Sequence, residues 1–185
     1  MKTLKQIVKG NATEFLHIKD FFENTDFYLR GWNQKELSES YGYAHDEANG
    51  EFVKTDYTVI TVCDSSIGWG TPNTVFSFDT KNGLGTFSDE QAKESAKKHA
   101  DILPELTDIL TALVSSPELL LMWDKCRGNY NYYAFDEVTS VDGDFDKMEW
   151  VYTKYNEIRL HIKTGRVTTV KRTDSSNPYV RHNMD

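Results

Sequence analysis

The chain has 185 residues, the length of one ordinary domain, and its four prolines are scattered rather than gathered in a linker. Apolar residues make up 38% and charged residues 27%, which excludes a disordered or membrane-embedded chain. The longest apolar run, Leu119 to Trp123, is far shorter than the roughly 20 residues that cross a bilayer. The two cysteines, Cys63 and Cys126, fit a reducing compartment. We therefore expect one globular domain over residues 1–185 in the cytoplasm, with a polar tail from about residue 174.

The N-terminal part suggests extended structure. Gly10-Asn11 tolerates the positive φ angles of a tight turn, so Thr3 to Val8 and Thr13 to Lys19 are predicted to pair as a hairpin. Asp26 to Arg30 follows as a third extended piece, and Asn33 to Tyr41 as a short helix.

The next segments are predicted to be a loop and two strands. Tyr43 to Glu51 is polar, which is typical of a loop. Tyr57 to Cys63 is rich in β-branched residues and apolar on both faces, which predicts a buried strand, and Val75 to Asp79 predicts another. Gly83-Leu84-Gly85 is interpreted as a glycine-rich turn that leads into a capped helix, because Ser88 in place of a third glycine argues against a dinucleotide fingerprint.

The middle of the chain is predicted to be helical. Ser88 and Gln91 form a capping box for a helix from Asp89 to about Ala100. The second helix has a core face at three- and four-residue spacing, made of Leu103, Leu106, Ile109, Leu110, Leu113 and Val114. Ser116 and Pro117 begin a third helix, which Gly128 ends.

The C-terminal part returns to strands. They are predicted at Tyr130–Phe135, Met148–Tyr155, Asn156–Lys163 and Arg166–Arg172, with Thr164-Gly165 as a two-residue turn between the last two. The whole order predicts an α+β fold, in which an antiparallel sheet of N-terminal and C-terminal hairpins packs against a central block of two or three helices.

Charge is segregated along the chain, whose net charge is −8. Two acidic segments, Asp20 to Tyr57 and Asp136 to Glu149, carry net charges of −6 and −5, whereas Lys154 to Arg172 carries +5. In the last hairpin the two-residue turn pairs Lys163 with Arg166, His161 with Thr168 and Glu157 with Arg172. One face of this hairpin is then basic and hydrated, either as a binding surface for an anionic partner or as an ordinary solvated face that offsets the acidic loops.

Aromatic residues flank this basic hairpin. Tyr130 and Tyr132 share one face of their strand, and Tyr133 and Phe135 share the other. Exposed tyrosines stack on bases or anchor protein interfaces, although one such face is more often core. The candidate binding residues are Arg159, His161, Lys163, Arg166, Arg172, Tyr130 and Tyr132.

Metal and nucleophile motifs are weak. Asp142, Asp144 and Asp146 alternate like the start of a calcium loop, but Lys147 stands where that loop needs glycine. We expect a flexible acidic loop and no cofactor; the alternative is a magnesium site on these aspartates, which would suit phosphoryl chemistry. Both cysteines are expected to be buried, inert thiols.

The start of the chain carries one resemblance. Leu4, Ile7-Val8, Asn11-Ala12-Thr13 and Phe15, continuing to Phe27-Tyr28, resemble the opening of small uncharacterised proteins of tailed phages and related mobile elements. The resemblance covers roughly the first 30 residues of 185. It implies a small acidic accessory protein in the host-cell cytoplasm, of the kind that blocks CRISPR or restriction complexes.

Three functions are weighed, of which the third is a purely structural or virion-assembly protein that self-associates. The leading expectation is a non-catalytic binding protein, a phage-type inhibitor of a host nucleic-acid-handling defence complex, whose acidic segments imitate a phosphate backbone. Its partner would be a protein or a protein–nucleic-acid complex, with direct nucleic-acid contact through the basic hairpin and no membrane contact. The alternative is a metal-dependent nuclease or another nucleic-acid-processing enzyme.

Overall fold

The computed structural model describes residues 2–30, 43–46, 51–54, 58–67, 74–144 and 149–172. The expected helix at Asn33–Tyr41 and the tail from about residue 174 lie outside them. The described helices are α1 (Leu4–Glu23), α2 (Glu90–Lys98), α3 (Leu103–Ser115) and α4 (Pro117–Lys125). The described strands are β1 (Phe27–Leu29), β2 (Tyr43–Asp46), β3 (Glu51–Lys54), β4 (Val59–Asp64), β5 (Thr74–Asp79), β6 (Gly83–Thr86), β7 (Cys126–Gly128), β8 (Tyr132–Asp144), β9 (Glu149–His161) and β10 (Val167–Arg172).

The strands form antiparallel sheets, and the helices between them confirm the α+β class. One four-stranded sheet has the order β1-β4-β5-β6, the other has the order β10-β9-β8-β7, and β2 pairs with β3. Contacts divide the chain into two compact units, Met1–Leu16 with Lys125–Asp185, and His17–Asp124. The expectation of one domain over residues 1–185 stays a prediction.

In the unit His17–Asp124, the core lies between the sheet and two helices. Every residue of β4 is buried, as its apolar β-branched sequence predicts. Helices α2 and α3 contact β5. Four of the six residues predicted for the core face of α3 are buried, namely Leu106, Ile109, Leu110 and Leu113. Leu103 and Val114, at the ends of that face, are only partly buried. Helix α4 begins as predicted, with the Leu119 N–H donating to Ser116 Oγ at 3.2 Å.

In the other unit, the core lies on one face of the sheet β10-β9-β8-β7. The ring of Phe15 meets the edges of the Tyr133 and Phe135 rings, at centroid distances of 5.5 and 5.4 Å. Edge-to-face packing of this kind adds to the burial of the apolar area. The Tyr133 and Phe135 face is therefore the core face of this strand.

The predicted N-terminal hairpin is wrong, because Leu4–Glu23 forms one helix, α1. Thr3 and Gln6 make a reciprocal capping box: the Thr3 N–H donates to Gln6 Oε1 at 2.9 Å, and the Gln6 N–H to Thr3 Oγ1 at 3.3 Å. Gly10 and Asn11 are ordinary helical positions, and the Asn11 side chain donates to the Ile7 carbonyl at 2.9 Å. Of the residues that carry the phage-protein resemblance, Leu4 to Phe15 therefore lie in a helix.

Other boundaries also differ from the sequence predictions. The expected loop at Tyr43–Glu51 contains β2, and Gly83-Leu84-Gly85 opens β6. Gly128 lies in β7 rather than ending a helix, and Cys126 begins that strand. Cys63 is buried as expected, but Cys126 is only partly buried, so the expectation of two buried thiols is wrong for Cys126. The strands expected at Met148–Tyr155 and Asn156–Lys163 form one strand, β9, because no turn separates them.

The cap of α2 is one residue later than predicted. Asp89, and not Ser88, is the N-cap, and its carboxylate accepts the Ala92 N–H at 2.9 Å. Both residue types are good N-caps, so composition alone does not separate two adjacent candidates.

Among the described residues, no single helix has both the length and the apolarity of a membrane span. Helices α3 and α4 have the length and composition of a span only when taken together, and the chain bends by 104° between them.

Candidate functional site

The turn between β9 and β10 determines which basic side chains come together. The His161 N–H donates to the Arg166 carbonyl at 2.9 Å, and the Gly165 N–H donates to the His161 carbonyl at 2.8 Å. Gly165 has a φ of +64°, which favours glycine. Four residues, 162–165, therefore connect the paired positions instead of two.

The predicted pairing of the hairpin is corrected by two residues. Thr168 lies opposite Arg159 and Val170 opposite Glu157, in place of His161 opposite Thr168 and Glu157 opposite Arg172. Because side chains alternate with a period of two, a shift of two residues leaves each side chain on its predicted face. His161 still meets Thr168, diagonally, with Nε2 and Oγ1 3.1 Å apart.

A pocket lies at the turn end of this hairpin. It has a volume of about 360 Å³ and is lined by Asn131, His161, Lys163, Thr164 and Arg166. We call it the basic pocket. Three of the predicted binding residues, His161, Lys163 and Arg166, thus lie around one cavity. Their side chains offer ammonium, guanidinium and imidazole donors at one place.

Asn131 lines the basic pocket and belongs to a turn that also carries Tyr130. Asn129 Oδ1 accepts the N–H groups of Asn131 and Tyr132 at 2.8 and 3.0 Å. The Asn131 carbonyl accepts the Ile162 N–H at 3.1 Å, which ties this turn to the hairpin. Tyr130 is 98% exposed. A hydrogen-bonded turn therefore carries a fully exposed aromatic ring on the residue that precedes Asn131 of the basic pocket.

Arg159 is engaged elsewhere on the same sheet face. Its Nε donates to Glu157 Oε1, and its guanidinium carbon lies 4.3 Å from the centroid of the Tyr132 ring. Glu157 is completely buried, and Arg127 donates to its Oε2 at 2.8 Å and to Asp136 Oδ1 at 2.9 Å. The expectation of a basic, hydrated face is therefore wrong for the middle of the hairpin, because an ion-pair network around Glu157 lies there.

For Arg172, Asp142 and Asp144 the structure describes only the backbone position. Arg172 ends β10, opposite Tyr155. Asp142 and Asp144 lie in β8, opposite Val151 and Glu149, so a strand replaces the expected flexible loop at these two positions. Asp146 lies outside the described residues.

The structure also shows a buried polar cluster in the unit His17–Asp124 that the sequence did not indicate. Asp64, at the end of β4, has no exposed surface. Ser95 Oγ donates to Asp64 Oδ2 at 2.6 Å, and the Ser66 hydroxyl and N–H donate to Oδ1 at 2.6 and 2.8 Å. His99 follows Ser95 by one helical turn, and its Nε2 lies 3.1 Å from Asp64 Oδ2.

These contacts set the charge of Asp64. Burial acts to raise its pKa, but the hydrogen bonds from Ser66 and Ser95 and the nearby His99 outweigh burial and lower the pKa. Asp64 is therefore an ionised carboxylate at neutral pH. The four-residue spacing of Ser95 and His99 on a predicted helix was a usable signal, but Asp64 precedes Ser95 by 31 residues and only the fold joins them.

The chain matches no protein-family model, no curated protein and no solved structure. Function is therefore inferred from the side chains of the basic pocket and the Asp64 cluster.

Proposed function

We propose that this chain is a non-catalytic binding protein that holds a phosphate-bearing strand of nucleic acid at the basic pocket. The observation that carries the proposal is the convergence of His161, Lys163 and Arg166 on one cavity. The fully exposed Tyr130 precedes Asn131, which also lines this cavity. The partner is a nucleic-acid strand within a host defence complex, and the protein acts by occupying that strand.

The chemistry of the basic pocket suits a phosphate. Lys163 offers three donors around a compact charge, and Arg166 offers a planar fork that matches two phosphate oxygens. Asn131 adds a neutral amide at the wall. Both charged side chains are exposed, and no described acidic residue lines the cavity to neutralise them. Such a site binds phosphate esters by charge and hydrogen bonding.

Tyr130 supplies the second element that a single strand needs. Bases of an unpaired strand stack on aromatic rings, which contributes about 1–3 kcal/mol per base and tolerates any sequence. Because the Asn129 side chain fixes the turn, stacking on Tyr130 costs little additional backbone entropy. We therefore expect a preference for single-stranded over double-stranded nucleic acid.

The direct test is fluorescence anisotropy with short labelled single-stranded DNA and RNA. The test variant combines Lys163→Ala with Arg166→Ala. The control combines Lys9→Ala with Lys97→Ala, which removes the same charge from exposed helix positions outside the pocket. We expect affinity to fall by roughly tenfold or more in the test variant, since charged hydrogen bonds contribute about 1.5–3 kcal/mol each, and to change little in the control. Equal affinities of test and control variants would overturn the proposal.

The inhibitory role is tested separately. Purified protein, wild-type or carrying Lys163→Ala and Arg166→Ala, is used to capture partners from a host lysate with and without nuclease treatment. We expect a nucleic-acid-handling complex to be recovered by the wild type, and to be lost with the double variant or after nuclease treatment. Recovery that does not depend on the pocket or on nucleic acid would contradict this role.

A further inference from the structure

We propose that Asp26, Asp64 and His99 form a binding site for one divalent transition-metal ion of the zinc class. One possible ligand atom from each of the three residues lies within 4.8 Å of the other two. These residues play no part in the basic pocket, so the site is independent of the proposed function.

Strand pairing and a helix bring the three side chains together. Phe27 of β1 lies opposite Asp64 of β4, which places Asp26 beside the Asp64 carboxylate. Ser65 fixes this arrangement, since its N–H and hydroxyl donate to the Asp26 carbonyl at 2.8 and 3.0 Å. His99 is the C-cap residue of α2, and its ring packs edge-on against Phe27 at a centroid distance of 4.8 Å. Backbone hydrogen bonds thus fix the main chain that carries Asp26, and packing against Phe27 positions the His99 ring.

His99 has a buried ring nitrogen that forms no hydrogen bond within the described residues. The residue is only 9% exposed, and Nε2 has no hydrogen-bond partner among the described residues. Nε2 lies 3.1 Å from Asp64 Oδ2 but forms no hydrogen bond with it. A buried polar atom without a partner is rare in folded proteins. A metal ion bound by Nε2 and the neighbouring carboxylates would satisfy it.

The ligand types favour zinc over magnesium. Zinc accepts imidazole nitrogen together with carboxylate oxygen, commonly with three protein ligands and one open position. Magnesium prefers oxygen ligands in a near-octahedral arrangement. The Asp26 side chain is about half exposed, so an ion can enter there and water can complete its coordination.

The surroundings of Asp64 support the same assignment. Ser66 and Ser95 donate hydrogen bonds to the two carboxylate oxygens and so fix the orientation of the carboxylate. Outer hydrogen bonds of this kind commonly orient metal-binding carboxylates. One group opposes the ion: Lys98 Nζ lies 3.6 Å from Asp26 Oδ2 and competes for that carboxylate.

Zinc titration of the full chain by isothermal calorimetry, after dialysis against EDTA, tests the site. Asp26→Asn removes one ligand charge at a half-exposed position, and Glu94→Gln on α2 is its control, because Glu94 is exposed and outside the cluster. Far-UV circular dichroism confirms that each variant is folded. We expect the wild type and Glu94→Gln to bind one equivalent of zinc, and Asp26→Asn to bind roughly tenfold or more weakly. Absence of zinc binding by the wild type, or equal affinities of Asp26→Asn and Glu94→Gln, would overturn the proposal.

A second experiment tests whether removing Lys98 increases the affinity for zinc. Lys98→Ala removes the competing ammonium group, whereas Lys97→Ala removes an exposed charge outside the cluster. At low ionic strength we expect Lys98→Ala to bind zinc more tightly than Lys97→Ala, because repulsion between exposed charges is least screened there. Equal affinities of the two lysine variants would contradict a metal ion beside Asp26.

Discussion

Nη2 of Arg127 lies 2.8 Å from Oε2 of Glu157, and the Glu157 side chain is completely buried. Arg127 belongs to β7 and Glu157 to β9, so this ion pair crosses the intervening strand β8. Arg159 donates to the other oxygen of the same carboxylate. The buried charge of Glu157 is thus matched by two guanidinium groups that reach solvent, and the network links three strands of one sheet.

The Glu157 network predicts a loss of stability on Glu157→Gln. The amide keeps the shape of the side chain but loses the charge that both guanidinium groups bind. Hydrogen bonds to charged groups contribute about 1.5–3 kcal/mol, so we expect the free energy of unfolding to fall by about that amount. Urea unfolding measures it, with Glu105→Gln as the control at an exposed position of α3. Equal stability of the two variants would show that the network does not stabilise the sheet.

The core face of α3 predicts a large loss of stability on truncation of a buried leucine. Leu110 has no exposed surface, so Leu110→Ala leaves a cavity among packed apolar side chains. Such substitutions cost about 2–5 kcal/mol. Asp108→Ala, at an exposed position of the same helix, is expected to change stability by less than about 0.5 kcal/mol. Denaturant unfolding compares the two variants, and a cost below about 1 kcal/mol for Leu110→Ala would exclude this face from the core.

The N-cap of α2 predicts different stability effects for substitutions of Ser88 and Asp89. Asp89→Ala removes the carboxylate that accepts the Ala92 N–H, which is expected to cost about 1 kcal/mol. Ser88→Ala is the control, since its side chain is exposed and does not cap the helix. Thermal unfolding of the two variants checks this. A larger loss of stability in Ser88→Ala than in Asp89→Ala would identify Ser88 as the N-cap of α2.

The two cysteines are expected to differ in reactivity. Burial raises the pKa of the Cys63 thiol, so less of the reactive thiolate forms at a given pH, and the side chain has no exposed surface. In Cys126→Ser, we expect Cys63 to react with a thiol reagent only after denaturant is added. In Cys63→Ala, the half-buried Cys126 is expected to react faster in the native protein. Fast labelling of native Cys126→Ser would show that β4 opens readily.

Local patterns predicted much of the fold where one signal dominated. The apolar, β-branched β4 and the three- and four-residue spacing of α3 each pointed to one structure. At the N-terminus two signals conflicted, since Gly10-Asn11 suggested a turn while Thr3 and Gln6 formed a capping box. The helix prevails because Val8, Phe15 and Ile18 share one of its faces and are all fully buried, which an isolated hairpin would not achieve.

The candidate site was predictable only in part. Alternation along β9 predicted that Arg159 and His161 share one face, and the observed shift of two residues keeps the β10 residues on their predicted face. Lys163 and Arg166 lie between the two strands, so alternation alone does not place them. The basic pocket also needs the Asn131 carbonyl bonded to the Ile162 N–H, a contact between distant turns that no local pattern encodes. The ion-pair network of Glu157 was not predictable either, because its carboxylate binds Arg127 of another strand as well as Arg159.

The salt dependence of strand binding tests the central claim most directly. Phosphate contacts release counterions, so the logarithm of the binding constant falls linearly with the logarithm of salt concentration. For a single strand, each lost contact lowers the steepness of that line by about 0.7. We predict a shallower line for Lys163→Ala with Arg166→Ala than for the wild type, and an unchanged line for Lys9→Ala with Lys97→Ala. Identical slopes for the pocket variant and the wild type would contradict phosphate binding at the basic pocket.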